Sequence, residues 1–227
     1  MSPVPTTPSA TAAGVVLAGG GSRRMGTDKA TLRRGGTTLL TGVLDALAEA
    51  VDGPLVVVGA ADATRDLPDE TAARAWRARA TVVHDAVADR GPLQGLAAGL
   101  GAAADAGVAS AFVAAVYLPH LHPELVRAVL AHRVAPVEVA LPVLDGHRQH
   151  LLAAYATALA DRATELLAHG ERSLGALVAA SRVRELDAAT LLADPRLAAR
   201  DPDLRAAHGV NTPEEWARSH GHEPDGR

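Results

Sequence analysis

The hydrophobic pattern begins with an unbroken run, Ala12-Ala13-Gly14-Val15-Val16-Leu17-Ala18, that ends in Gly19-Gly20-Gly21. A continuous apolar run entering a tight glycine turn is what a strand buried on both faces of a parallel sheet requires. Pro54 to Gly59 (PLVVVG) repeats the design. Between the two, Thr38 to Val51 places Leu39, Leu40, Val43, Leu44 and Leu47 on one helical face, with Thr38 as N-cap. Further short apolar runs at Thr81 to Val83, Ala111 to Val116, Val137 to Pro142 and near Val183 alternate with helical patterns. The helical patterns cover Leu93 to Ala106, Pro123 to His132, Thr157 to His169 and Ser173 to Ala180. This alternation predicts an α/β fold, a Rossmann-like doubly wound and mostly parallel sheet flanked by helices, in a single domain. The domain is expected over residues 13–218, with a disordered tail at 1–12 and a frayed tail at 219–227. Ligands of such sheets sit at the carboxyl ends of the strands, which directs attention to the turns after Leu17, Val83 and Val116.

Composition narrows the classes. With 227 residues, 48% of them hydrophobic, the chain can bury a substantial core, but aromatic residues are only 2%. The core must therefore be built from Ala, Val and Leu, and base-stacking platforms are scarce. A formal charge of −4 supplies no basic field for nucleic acid, so phosphate chemistry has to be local. The absence of Cys excludes disulfides, thiolate metal sites and a cysteine nucleophile. The first dozen residues lack the basic start and apolar stretch of a signal peptide. No run approaches the roughly 20 apolar residues of a membrane span. The expectation is a cytoplasmic protein with neither nucleic acid nor membrane as partner.

The chemistry concentrates in Leu17-Ala18-Gly19-Gly20-Gly21-Ser22-Arg23-Arg24-Met25-Gly26-Thr27-Asp28-Lys29-Ala30, a strand end followed by a loop with four glycines and three cations. Consecutive glycines let backbone N–H groups approach an anion. Arg24, as a planar fork, and Lys29, as a point charge, can neutralise a polyphosphate. Neither a Walker A loop, which needs Lys directly after its last Gly, nor the Rossmann G-x-G-x-x-G spacing is present.

The pattern L-A-G-G-x-S-x-R-M-G-x-D-K-A resembles the signature of the molybdenum-cofactor guanylyltransferases, and every fixed position is met. The likeness continues with Asp85 and Gly91-Pro92-Leu93-Gln94-Gly95-Leu96, then Asp145-Gly146-His147-Arg148-Gln149-His150 with Tyr155 shortly after. Gly170-Glu171-Arg172-Ser173-Leu174 and Val210-Asn211-Thr212-Pro213-Glu214-Glu215 complete it in order. His150 stands where the family pattern has Pro. The resemblance implies that Leu17, Ala18, Gly19, Gly20, Gly21, Ser22 and Lys29 hold the nucleotide with Asp85, Gly91 and Gly95. It implies catalytic roles for Arg24 and Lys29, and acceptor binding by Arg148 and Gln149. The implied reaction moves GMP from GTP to the terminal phosphate of molybdopterin, with magnesium as cofactor. Other molybdenum-cofactor maturation proteins or molybdoenzymes would be downstream partners.

Two positions depart from that pattern. Relatives carry Asp-x-Pro after a strand, its Asp holding magnesium; here the segment reads Tyr117-Leu118-Pro119. A neutral phenol, with an unperturbed pKa near 10, is a poor ligand for a hard cation. Relatives also carry Asp or Asn where this chain has Gly209, leaving Asn211 as a neutral oxygen donor. Asp89 and Asp145 are candidates to supply the missing carboxylate. These departures keep two alternatives open: a nucleotide- or molybdopterin-binding relative without turnover, and a transferase for another nucleotide or acceptor.

Among the remaining polar residues, His120 and His122 with His147 or His150 lack the spacing of a zinc site and read as surface loop histidines. His84 ends its strand, and Arg23, Arg33 and Arg34 read as solvent-facing charges. Asp28 is either a site residue or the cap of a following helical turn.

Overall fold

The structure, a computed structural model, describes residues 11–19, 29–34, 36–59, 67–84 and 91–220. The strands are β1 (Ala12–Leu17), β2 (Arg33–Arg34), β3 (Thr37–Thr38), β4 (Leu55–Gly59), β5 (Ala80–His84), β6 (Ser110–Ala115), β7 (Val139–Leu144), β8 (His147–Arg148), β9 (Leu152–Ala156) and β10 (Val183–Leu186). The helices are α1 (Leu39–Ala50), α2 (Pro92–Asp105), α3 (Pro123–Leu130), α4 (Leu159–Ala168), α5 (Leu174–Ala179), α6 (Ala188–Leu192), α7 (Pro195–Arg200) and α8 (Pro213–His220).

The main sheet runs β10-β7-β9-β6-β1-β4-β5, with β8 on β7. β1 pairs in parallel with β4 and with β6, β4 with β5, and β10 with β7. The doubly wound, mostly parallel expectation therefore holds, with one interruption. β9 lies antiparallel between β6 and β7. Sequence reading assigned no strand there, because Leu-Ala-Ala-Tyr-Ala is too short and too uniformly apolar for periodicity to separate strand from helix.

Both sheet faces are covered. Val16, Val57 and Phe112 share one buried cluster with Leu40, Leu44, Leu125 and Leu197, from α1, α3 and α7. Val15, Val58 and Val113 share the other with Leu96, Leu100, Ala163 and Leu177, from α2, α4 and α5. The alternation of Val15 and Val16 between clusters is the period-two geometry of a strand buried on both sides. The core is built from Ala, Val and Leu, as the low aromatic content requires, with Phe112 and Tyr155 the largest fully buried side chains.

Local chemistry sets the element ends. Thr38 caps α1, its hydroxyl accepting from the Thr41 N–H at 3.2 Å. Asp187 and Asp194 cap α6 and α7, two short helices absent from the sequence expectations. β7 and β8 form a hairpin turning through Asp145 (φ 50°) and Gly146 (φ 74°), the Asp-Gly pair that a type I′ turn favours. At the ends, β1 begins at Ala12 and α8 continues to His220. No helix among the described residues is long and apolar enough to cross a membrane.

Candidate functional site

The parallel strands point their carboxyl ends to one edge, and motif residues among those described gather there. The end of β1 is locked on both sides. The Val116 N–H donates to the Leu17 carbonyl at 3.3 Å, and the Ala18 and Gly19 N–H groups both donate to the Val58 carbonyl at 2.9 and 3.0 Å. The chain is thus committed to leave the sheet at Gly19. Gly20, Gly21, Ser22, Arg23, Arg24, Asp28, Asp85 and Asp89 lie outside the described residues. Lys29 opens a helical turn, Lys29–Thr31. His84 closes β5 at the same edge, as the sequence suggested.

Gly91 precedes α2 at the N-cap with φ 78° and ψ 178°, a conformation that only glycine adopts without strain. A Cβ there would lie 3.2 Å from the Arg172 carbonyl oxygen. The G-P-L-x-G-L and G-E-R-S-L blocks are therefore neighbours in space, although Gly170 lies 79 positions after Gly91. The second block is a helix-to-helix junction. Glu171 accepts from the Arg172 and Ser173 N–H groups at 2.8 and 2.9 Å, and these bonds hold its carboxyl below the usual range. Ser173 then caps α5. Gly95 lies buried in the second turn of α2.

On the other side of β1, the β7–β8 hairpin carries the expected acceptor residues. Arg148 is exposed and ion-paired: its Nε donates to Glu185 Oε1 at 2.7 Å. Gln149 donates from its side chain to the His147 carbonyl at 3.2 Å. Tyr155 is fully buried, and its hydroxyl donates to the His150 carbonyl at 2.8 Å. It tethers the loop that presents Arg148 and Gln149, and burial pushes its phenol well above its ordinary pKa. Asp145 occupies the exposed hairpin turn.

The segment after β6 corrects several expectations. His122 is no free surface histidine; it caps α3 and sits partly buried between two carboxylates, Glu124 Oε2 at 3.0 Å and Asp201 Oδ2 at 3.3 Å. Arg34 is not solvent-facing: half-buried, it donates from Nη1 to the Pro119 carbonyl at 2.8 Å. Arg33 does face solvent and pairs with Glu70 at 2.9 Å. Half-buried His120 has its pKa lowered by burial and then by the nearby Arg34 and Arg205. No local pattern could have placed Arg34 here, since its partner lies 85 positions away. Among the described residues no group of three or more His, Asp and Glu side chains is placed to hold a metal ion.

Positions 117 and 209 adjoin. The Val210 N–H donates to the Tyr117 carbonyl at 2.9 Å, and a Cβ on Gly209 would meet the Tyr117 ring at 2.6 Å. Magnesium does not fit this donor set: the ring fills the space beside Gly209, and a neutral phenol is a poor ligand for a hard cation. Burial raises the Tyr117 pKa further, which keeps the phenol protonated. Asn211 is exposed, and its backbone N–H donates to Glu215. Thr212 and Glu215 form a capping box, with the Glu215 N–H donating to Thr212 Oγ1 and the Thr212 N–H to Glu215 Oε2, both at 3.2 Å. The N-T-P-E-E motif thus starts α8, whatever else it does.

Residues 14–186 match the family model described as MobA-like NTP transferase domain, a span that closes at the last residue of β10. The chain is 41% identical over 201 residues to the "Probable molybdenum cofactor guanylyltransferase" of Mycolicibacterium paratuberculosis, covering 86% of this chain and 93% of the relative. It is 42% identical, with the same coverage, to the protein of that name in Mycobacterium avium. Among solved structures, the molybdopterin-guanine dinucleotide biosynthesis protein A of Archaeoglobus fulgidus superposes with a TM-score of 0.64 at 25% identity. That superposition covers 92% of this chain and 96% of the other.

Proposed function

Because the chain belongs to the MobA-like NTP transferase domain family, we propose that it transfers GMP from GTP to the terminal phosphate of molybdopterin and releases pyrophosphate. Nucleotidyl transfer as a class follows from the family; GTP and molybdopterin are the specific proposal. The observation that carries it is the convergence of the β1 end, the Gly91 N-cap of α2 and the β7–β8 hairpin on one edge of the sheet. A nucleotide and an acceptor phosphate can approach there from opposite sides of β1. The names of the relatives in two mycobacterial species support the guanylyl assignment.

In this reading an oxygen of the acceptor phosphate attacks the α-phosphorus of GTP. The bond from that phosphorus to the bridging β-oxygen breaks, and the electron pair leaves on pyrophosphate. No protein nucleophile is needed; positioning and charge neutralisation carry the rate. Backbone groups from Leu17, Ala18, Gly19, Gly20, Gly21 and Ser22 cradle the nucleotide, with Asp85, Gly91 and Gly95 bordering base and ribose. Arg24 and Lys29 offset the charge that develops on the leaving group. Arg148 and Gln149 hold the acceptor, and Arg148 exchanges its Glu185 pair for the acceptor phosphate, a charge-for-charge substitution. The product would pass to other molybdenum-cofactor maturation proteins or to molybdoenzymes.

The Tyr117–Gly209 contact favours a second reading, a protein that binds nucleotide or molybdopterin without turnover. A thermal-shift titration with GTP, CTP, ATP and UTP tests binding first. A ligand at about 100 times its Kd adds about 2.7 kcal/mol, which at this chain length raises the melting midpoint by roughly 5–10 °C. GTP-selective stabilisation is expected, followed by pyrophosphate release once molybdopterin is added. Binding without pyrophosphate supports the second reading, selectivity for CTP would reassign the nucleotide, and no response to any nucleotide rejects both readings.

A further inference from the structure

We propose that Tyr117 and Gly209 form one packed unit that closes the carboxyl end of β6 to a protein-held divalent cation. The proposal uses the nucleotidyltransferase reading above only for what this corner would otherwise hold. It stands on geometry within this chain.

An ideal Cβ on Gly209 would lie 2.6 Å from Cδ2, 2.8 Å from Cε2 and 3.4 Å from the carbonyl oxygen of Tyr117. Carbon atoms pack at about 3.5–4.0 Å, so no side chain fits at 209 while the ring is in place. The backbone cannot retreat to make room, because the Val210 N–H is bonded to the Tyr117 carbonyl at 2.9 Å. Val116, Leu118 and Val210 are all buried and fix both strands of chain in the core. The two departures from the family pattern are therefore a single event: an aromatic ring at 117 requires glycine at 209. Together they remove a carboxylate and a second ligand position.

Among the described residues, the carboxylates of the adjoining segments are engaged by protein donors. Asp201 accepts from the Arg205 N–H at 2.8 Å and the Ala206 N–H at 2.9 Å, and also faces His122. These bonds outweigh burial and hold its pKa below the ordinary value. Glu124 faces the other His122 nitrogen. Glu215 accepts from the Asn211 and Thr212 N–H groups. Arg34 reaches the Pro119 carbonyl and brings positive charge to the same segment. A hard divalent ion needs several charged oxygens, and among the described residues this corner presents cations and committed carboxylates instead. Any divalent ion used in turnover would come with the triphosphate.

The test uses the full nucleotide-free chain and Mn2+ alone, followed through the EPR signal of the free ion, so that failure to bind GTP would not affect it. Wild type and Asn211→Ala are expected to give the same weak titration, and Tyr117→Asp to tighten Mn2+ binding by about tenfold or more. Wild-type binding that Asn211→Ala abolishes, or no gain in Tyr117→Asp, overturns the proposal. A thermal-melting cycle guards against misfolding of the Asp variant. Gly209→Ala is expected to lower the midpoint by several degrees with Tyr117 present and by far less in a Tyr117→Ala background. An equal loss in both backgrounds refutes the packed unit.

Discussion

Replacing Gly91 by Ala probes the joint between the two motif blocks. Two terms set the magnitude. The native φ of 78° and ψ of 178° lie in a region essentially reserved for glycine, and holding Ala there costs about 1–3 kcal/mol. The new Cβ would also stand 3.2 Å from the Arg172 carbonyl, which forces a shift of a few tenths of an ångström and adds some tenths of a kcal/mol. The sum is a loss of about 1–3.5 kcal/mol, or roughly 2–14 °C in melting midpoint. Gly101 in the same helix provides the opposite case. A Cβ there meets nothing within 4 Å, so Gly101→Ala should gain about 1 kcal/mol from helix propensity alone. Urea denaturation of both variants measures the stabilities, and thermal shift with GTP measures the site. Relief of the Gly91→Ala strain must move the start of α2 away from Arg172, so the GTP response should fall in that variant and persist in Gly101→Ala. A Gly91→Ala protein within about 0.5 kcal/mol of wild type would refute the strain argument. A destabilised variant with an unchanged GTP response would separate this joint from nucleotide binding.

Two further outcomes follow from the structure. Glu70 accepts from the Thr38 N–H and hydroxyl, both at 2.9 Å, and pairs with Arg33; the Thr38 backbone bond above all lowers its pKa from 4.5 to about 2. The depressed folded-state value means that its contribution is complete above the unfolded pKa and is lost as pH falls from about 5 to 2. Glu70→Gln should therefore cost about 1–2 kcal/mol at pH 7, discounted for partial exposure, and flatten acid denaturation across that window; an unaltered acid profile would contradict it. Tyr155→Phe removes the hydroxyl bonded to the His150 carbonyl and should cost about 1 kcal/mol. Because that bond tethers the loop carrying Arg148 and Gln149, pyrophosphate release should show a raised KM for the acceptor with little change for GTP, and equal effects on both substrates would argue against the tether.

Much of this protein is local, and what is local was legible in the sequence. The alternation of apolar runs with helical faces gives the doubly wound sheet, because strand and helix periodicities are properties of neighbouring residues. Thr38 reads as an N-cap and acts as one, since capping needs only the next turn. The glycine-rich block after Leu17 carries the resemblance to the family, because a contiguous motif can be read without the fold. The tertiary structure decided what depends on residues far apart in the chain. β9 becomes a strand because β6 and β7 pair with it on both sides, and its own residues carry no such preference. Tyr155, part of a motif in the sequence, proves to be a buried tether, and His122 and Arg34 turn inward to Asp201 and Pro119. Gly209 and Tyr117 read as two separate losses along the chain. Folding brings them into contact, and steric exclusion between a ring and a Cβ makes them one constraint that no local pattern encodes.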